Sequence, residues 1–314
     1  MNTTINIKIH LLFGVLSTLL LSCDKIDNAY PSPETELDIT LYPGNWSDYI
    51  TNFYPDFQPN NYTLQNVLIE DYTGHTCNNC PNAAITAYSI QENNPDRVFV
   101  VAIHAGPTQG GISPFQQFYP DNDMFFTNHT SPEGLTYGDY FRNGYNFYGN
   151  PQGTVNRKTV DDKLFDVQGT WSSRTSSELS SSPAPVKMQA VFNYFASTGG
   201  GYLHVEVEKN TNEAIPINTM VYVIKNSEMN WQVMPDNSYN EFYEHKNKHI
   251  GNMDQRAWGR TALGTNASQG EKIILDYDYK IPEDISIDNM HFIIYTFNPD
   301  THEIYQVIKQ SVVE

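Results

Sequence analysis

The chain has 314 residues, 39% of them hydrophobic and 13% aromatic, which excludes a disordered chain and leaves room for about two domains. Its 36 acidic residues outnumber 18 basic ones, for a formal net charge of -18. That balance excludes nucleic acid and anionic membrane surfaces as electrostatic partners, because both need clustered Lys and Arg.

Lys8 is the one charged residue in the first 22, and "IHLLFGVLSTLLLS" follows it. This apolar run is short for an ordinary transmembrane helix. It ends at Leu20-Leu21-Ser22-Cys23, which resembles a bacterial lipoprotein signal. On that reading residues 1–22 are a signal peptide and Cys23 is the lipidated N-terminus. Acyl chains at ~0.8 kcal/mol per buried methylene then hold the protein on a membrane it does not cross. Residues 23–60, with Pro31 and Pro33 and many aromatic and Asn residues, read as a tether without regular elements.

From residue 61 the pattern changes. "VLIEDY" (67–72) is a compact β-like run, and "TGHTCNN" is a turn. "CPNAAITAYSIQENN" reads as a helix, with Pro81 in the first turn, where a missing N–H costs nothing. "DRVFVVAIHAG" is a second strand, apolar on both faces like a central parallel strand. Strand, crossover helix and strand make a βαβ unit. Residues 106–134 look like an insertion rich in Gly, Pro and aromatics. A helix within 135–147, a short strand in "GNPQGTVNRK" and a helix at about 168–179 complete a first domain, 61–183.

"SPAP" (182–185) marks a boundary. In 184–314 the runs "VKMQAVFNYF", "GYLHVEVEK", "INTMVYVIKN", "EKIILDYDYKI", "MHFIIYTFN" and "EIYQVIKQSVV" alternate apolar and polar residues between turn signals. They argue for an antiparallel β-sandwich, interrupted by a long connection at 228–268. Within that connection Glu241, His245 and His249 have the i, i+4 spacing of a helical metal site, but the segment has turn character and weak helical periodicity. The acidic loop "YPDNDMFFTNHTSPEG" lacks the ligand spacing of a calcium loop.

Cys77 and Cys80 stand two residues apart between strand and helix. There the first sulfur meets the free N–H groups and dipole of the helix N-terminus, which stabilise a thiolate, and the second is close enough to resolve a mixed disulfide. Outside the cytoplasm the pair rests oxidised, as a working dithiol or as a structural bridge. A zinc site needs about four ligands, and His75 and His104 lack ligand-type spacing, so no metal and no cofactor is expected. With its strand and helix, the pair resembles thioredoxin-like folds. The resemblance implies roles for Asp71, six residues before Cys77, as a buried proton-transferring carboxylate, and for Pro151 in "YGNPQGTV" as a cis proline facing the pair. Thr76 departs from the tryptophan usual before the first cysteine, and Asn78-Asn79 lacks the rigid proline of many reductases.

More widely, "NVLIEDYTGHTCNNCPNAA", "GNPQGTVNRK", "YVIKNSEMNW", "EFYEHKNKH" and "HFIIYTFNPDTHEIYQV" resemble the twenty-eight-kilodalton outer membrane protein family of Gram-negative lipoproteins. The resemblance implies a thioredoxin-like domain followed by an immunoglobulin-like β-sandwich, held to the outer membrane through Cys23. It implies an adhesin-type module that binds a protein or glycan. The alternative is an extracytoplasmic thiol-disulfide oxidoreductase, in which Cys77 attacks, Cys80 resolves, Asp71 moves protons and Pro151 positions the substrate backbone.

Overall fold

A computed structural model describes residues 37–313. The signal peptide and Cys23 lie outside the described residues. Among the described residues no helix is long and apolar enough to cross a membrane.

The first half builds the expected crossover. β1 (Val67–Thr73) and β2 (Val98–His104) pair in parallel, from Val67 opposite Val98 to Thr73 opposite His104. α2 (Cys80–Glu92) makes the crossover between them; α1 (Trp46–Asn52) precedes β1. β1 is buried along its whole length, which its continuous apolar run requires. α3 (Pro132–Phe141) follows the insertion, and β3 (Gln152–Val155) returns antiparallel to β1. α4 (Trp171–Ser180) then packs its Trp171 over Gly153, where a Cβ would meet the indole at 2.6 Å. Val67, Ile69, Ala83, Ala87, Val100 and Trp171 make one apolar cluster under α2 and α4.

The second half supplies β4 (Val186–Phe195), β5 (Gly200–Lys209), β6 (Ile217–Val233), β7 (Tyr239–Asn252), β8 (Arg260–Leu263), β9 (Lys272–Lys280), β10 (Met290–Phe297) and β11 (Ile304–Ser311). β4, β5 and β9 form a three-stranded antiparallel sheet. The other strands join those of the first half in one mixed eight-stranded sheet, ordered β11-β10-β6-β7-β2-β1-β3, with β8 on β6. β6 and β10 are covered on both faces. Val221, Val223, Phe292 and Ile294 pack against the small sheet, while Met220, Tyr222, Ile293 and Tyr295 pack toward β1 and α3.

Two expectations are corrected. The connection at 228–268 is the outer half of β6, its hairpin, β7 and β8. Its outer strand segments are largely solvated, so their polar residues hide the strand period. In the extended β7, residues four apart lie about 13 Å from one another, so Glu241, His245 and His249 do not converge. The segment from 37 to 60 is not featureless either. A 3-10 turn at Ile39–Leu41 and α1 dock on β5, and Tyr49 is fully buried against Tyr202 and His204.

A buried ion pair within the first half is bonded by a tyrosine of the second. The Glu70 carboxylate on β1 accepts two hydrogen bonds from Arg157, each 2.7 Å, and others from Thr154 and Tyr222. Burial pushes Glu70 up, but the Arg157 guanidinium outweighs it and holds the carboxyl below its usual range. Arg157 follows Asn156, and both have left-handed backbones, with φ of 46° and 48°. That turn lets the Asn156 side chain accept from the Leu68 N–H at 2.8 Å while Arg157 enters the core.

Candidate functional site

β1 ends at Thr73, and the turn through Gly74 carries the chain to the cysteines. The Cys77 N–H donates to the Gly74 carbonyl at 3.1 Å, and α2 begins at Cys80. Cys77 and Cys80 form a disulfide, their Cα atoms 5.4 Å apart. Each cysteine is only 1% exposed.

Two segments close over this turn. From the insertion, the Phe115 carbonyl accepts from the Thr76 N–H at 3.1 Å, and the Pro114 carbonyl accepts from the Thr76 hydroxyl at 2.8 Å. Gly74 is required here, because a Cβ would strike the Phe115 carbonyl. From the β6–β7 hairpin, Gln232 donates its amide to the Cys77 carbonyl at 3.0 Å, and the Val233 N–H donates to the His75 carbonyl at 2.8 Å. Asn78 donates to Asn237 at the hairpin tip, at 3.0 Å.

The Asn150-Pro151 bond is cis. Tyr72 is in register with Gln152, so Pro151 lies at the end of β1 that leads into the cysteine turn. The Asn150 amide donates to the Tyr72 and Ala105 carbonyls at 2.7 and 2.9 Å, tying the ends of β1 and β2. The Gln116 amide donates to Asn150 Oδ1 at 3.2 Å and to the Thr73 carbonyl at 2.6 Å. The insertion thus occupies the space between the proline turn and the end of β1.

Asp71 is 2% exposed, and its Oδ1 has no hydrogen-bond partner. Burial alone raises its carboxyl to about 7. It shares its strand face with Val67 and Ile69, the face that α2 covers.

Sequence reasoning missed the surroundings of His75 and His104. His129 of the insertion and His245 of β7 join them in one buried cluster. The available signal was His104 itself, a polar residue closing an otherwise apolar strand. The aromatic residues of 106–148 divide: Tyr137 and Phe125 are buried, Phe118 is half-buried, and Phe115, Tyr119 and Phe126 are exposed. The acidic loop lines an open surface cavity of about 450 Å³ with Tyr119, Asp121, Asp123, Met124, Phe125 and Tyr239.

No protein-family model matches the chain, and no curated protein matches it. Similar solved structures exist. HBP35 of Porphyromonas gingivalis superposes with a TM-score of 0.61 at 14% identity, over 81% of this chain and 77% of that one. Protein AGR_C_4864 of Agrobacterium tumefaciens gives 0.50 at 14% identity, over 81% and 97%. A domain of the outer membrane lipoprotein Omp28 from P. gingivalis covers 41% of this chain and 88% of that one at 15% identity, with a TM-score of 0.27, on which nothing rests. At these identities the first two similarities establish a shared fold.

Proposed function

We propose that the chain is a lipid-anchored outer-membrane module that binds a protein or glycan partner. Its scaffold is a thioredoxin-like unit joined to an immunoglobulin-like β unit, and its disulfide is structural. The sequence supports the anchor through the Leu20-Leu21-Ser22-Cys23 signal. One observation carries the binding reading: both sulfurs sit under the insertion and the hairpin, beyond reach of a substrate thiol. Those two covering segments expose Tyr119, Phe126, Met229, Tyr239 and Phe242 to solvent. Exposed aromatic surface of this kind suits a partner interface.

The test is a redox titration of the Cys77–Cys80 pair. A potential below about −300 mV marks a structural bridge. In parallel, the Tyr119→Ser, Phe242→Ser variant should lose retention on immobilised matrix proteins and glycans, while a Cys77→Ser, Cys80→Ser variant keeps it.

The oxidoreductase reading keeps one favourable observation: the raised carboxyl of Asp71 beneath the helix that begins at Cys80, with cis Pro151 beside the turn. In that case, once an external thiol has reduced the pair, the Cys77 thiolate attacks a substrate disulfide and expels one thiolate. Cys80 gives its proton to Asp71 and resolves the mixed disulfide by expelling the second thiolate, and Pro151 positions the substrate backbone. Turnover of a small disulfide substrate that Cys77→Ser abolishes would establish it and displace the structural reading.

A further inference from the structure

His75, His104, His129 and His245 come from four separate segments: the turn after β1, the end of β2, the insertion, and β7. All are at most 5% exposed. Their ring centres lie 5.1 Å apart for His75–His129, 5.0 Å for His104–His129, 5.4 Å for His104–His245, 4.6 Å for His129–His245 and 6.4 Å for His75–His104. Four imidazoles bound tetrahedrally around one ion, with metal–nitrogen bonds near ~2 Å, place their ring centres about 5 Å apart.

The hydrogen bonds around the cluster point outward. His75 donates from Nε2 to the Gln117 carbonyl at 2.8 Å, which leaves Nδ1 as a bare lone pair without a partner. His245 donates from Nε2 to the Trp231 carbonyl at 3.3 Å. His129 Nδ1 lies 3.5 Å from the Glu228 carboxylate and 3.2 Å from Lys248 Nζ. His104 has no hydrogen-bond partner on either nitrogen. A carbonyl that holds the outer N–H while the inner nitrogen stays free, as at His75 and His245, is the usual support of a metal-ligating histidine. A buried imidazole with neither nitrogen satisfied is costly unless something fills the place between the rings.

We propose that these four histidines bind one imidazole-preferring transition-metal ion, Zn²⁺ or Cu⁺. The donor set is all nitrogen, because the cysteines are committed to each other. It suits these ions and not Ca²⁺ or Mg²⁺, which take oxygen. As the side chains stand, no group of three or more His, Cys, Asp or Glu among the described residues could hold a metal ion. Binding therefore turns the rings about their Cβ–Cγ bonds. The bound ion would staple the insertion, through His129, to β2 and β7.

The experiment uses the full-length chain in detergent, stripped with chelator and titrated with Zn²⁺, or anaerobically with Cu⁺, against a chromophoric competitor. One equivalent per chain is expected, with an all-nitrogen shell by X-ray absorption and slower proteolysis within 106–134. His104→Leu should weaken binding at least tenfold. His129→Asn, on the insertion and outside both sheets, should do the same and serves if His104→Leu fails to fold. The Cys77→Ser, Cys80→Ser variant should bind as the wild type does. Absence of a bound equivalent, unchanged affinity in His129→Asn, or sulfur in the shell would each overturn the assignment. Tighter binding of one ion than the other identifies which metal the site takes.

Discussion

The Glu70–Arg157 cluster and the four-histidine cluster are both buried, polar and assembled from distant parts of the chain. They differ in how their atoms are satisfied. Around Glu70 both carboxylate oxygens are hydrogen-bonded, and only Arg157 Nη1 lacks an acceptor. The guanidinium also faces the rings of Tyr137, Phe141 and Tyr295 at 5.3 to 5.5 Å. Around His104 the rings of His129 and His245 lie 5.0 and 5.4 Å away, and neither His104 nitrogen has a hydrogen-bond partner among the described residues. A satisfied cluster stabilises and specifies the joint between the halves. An unsatisfied one costs stability and is kept for what it can hold.

The largest expected effect comes from breaking the satisfied side. Arg157→Met leaves the Glu70 carboxylate buried without its counter-ion, a loss of about 3–5 kcal/mol. Chemical denaturation measures it. A cost below about 1 kcal/mol would show that the fold does not depend on the pair.

Asp71 tests the unsatisfied side through pH. Its carboxyl sits at about 7 in the folded protein against an ordinary 3.8. Between those values the folded chain binds the proton that the unfolded chain releases. Stability is therefore greatest below pH 4, falls as pH rises to about 7, and stays low above it. Three pH units correspond to roughly 4 kcal/mol. Asp71→Asn removes the fall, so the variant should exceed the wild type by a few kcal/mol at pH 8 and match it near pH 4. Equal stabilities at pH 8 would mean that Asp71 is hydrated in solution.

Much of this architecture was legible because the elements that build the core announce themselves locally. β1, α2, β2 and most strands of the second half are apolar runs bounded by turns, and all fell within a few residues of expectation. β7 was not legible, since its outer residues face water and carry no apolar period. α1 was not, because seven residues with Tyr49 as their one buried side chain are held by partners about 150 positions later. The cysteine turn could be placed, but not its cover. Nothing local in "SPFQQF" says that its backbone will seal Thr76. The same holds for the histidines, which the topology gathers from residues 75 to 245.

His104→Leu gives the comparison its opposite sign. Leu has similar volume and no polar atoms, so the metal-free variant should gain about 1–2 kcal/mol by removing an unsatisfied buried group. Thermal unfolding of stripped protein reads the gain, and added metal should offset or reverse it by stabilising the wild type more than the variant. A loss of stability in stripped protein would indicate that ordered water already satisfies His104.

The smallest effect belongs to a satisfied chain at the margin of the molecule. Tyr49 donates its hydroxyl to His204 Nε2, and His204 donates from Nδ1 to Asp276 at 2.6 Å. Tyr49 and His204 are buried, but the Asp276 side chain is 29% exposed, so water supports the far end of the chain. Tyr49→Phe deletes one hydroxyl and leaves the ring in its aromatic cluster with Trp46 and Tyr202. The expected cost is about 1 kcal/mol. α1 should stay docked, because the Tyr202 hydroxyl still donates to the Asp38 carbonyl at 2.8 Å and accepts from the Tyr42 N–H at 3.0 Å. Limited proteolysis at 37–60 should be unchanged. If that segment were released, or the cost exceeded about 3 kcal/mol, this relay would belong with Glu70–Arg157 as a joint the fold depends on.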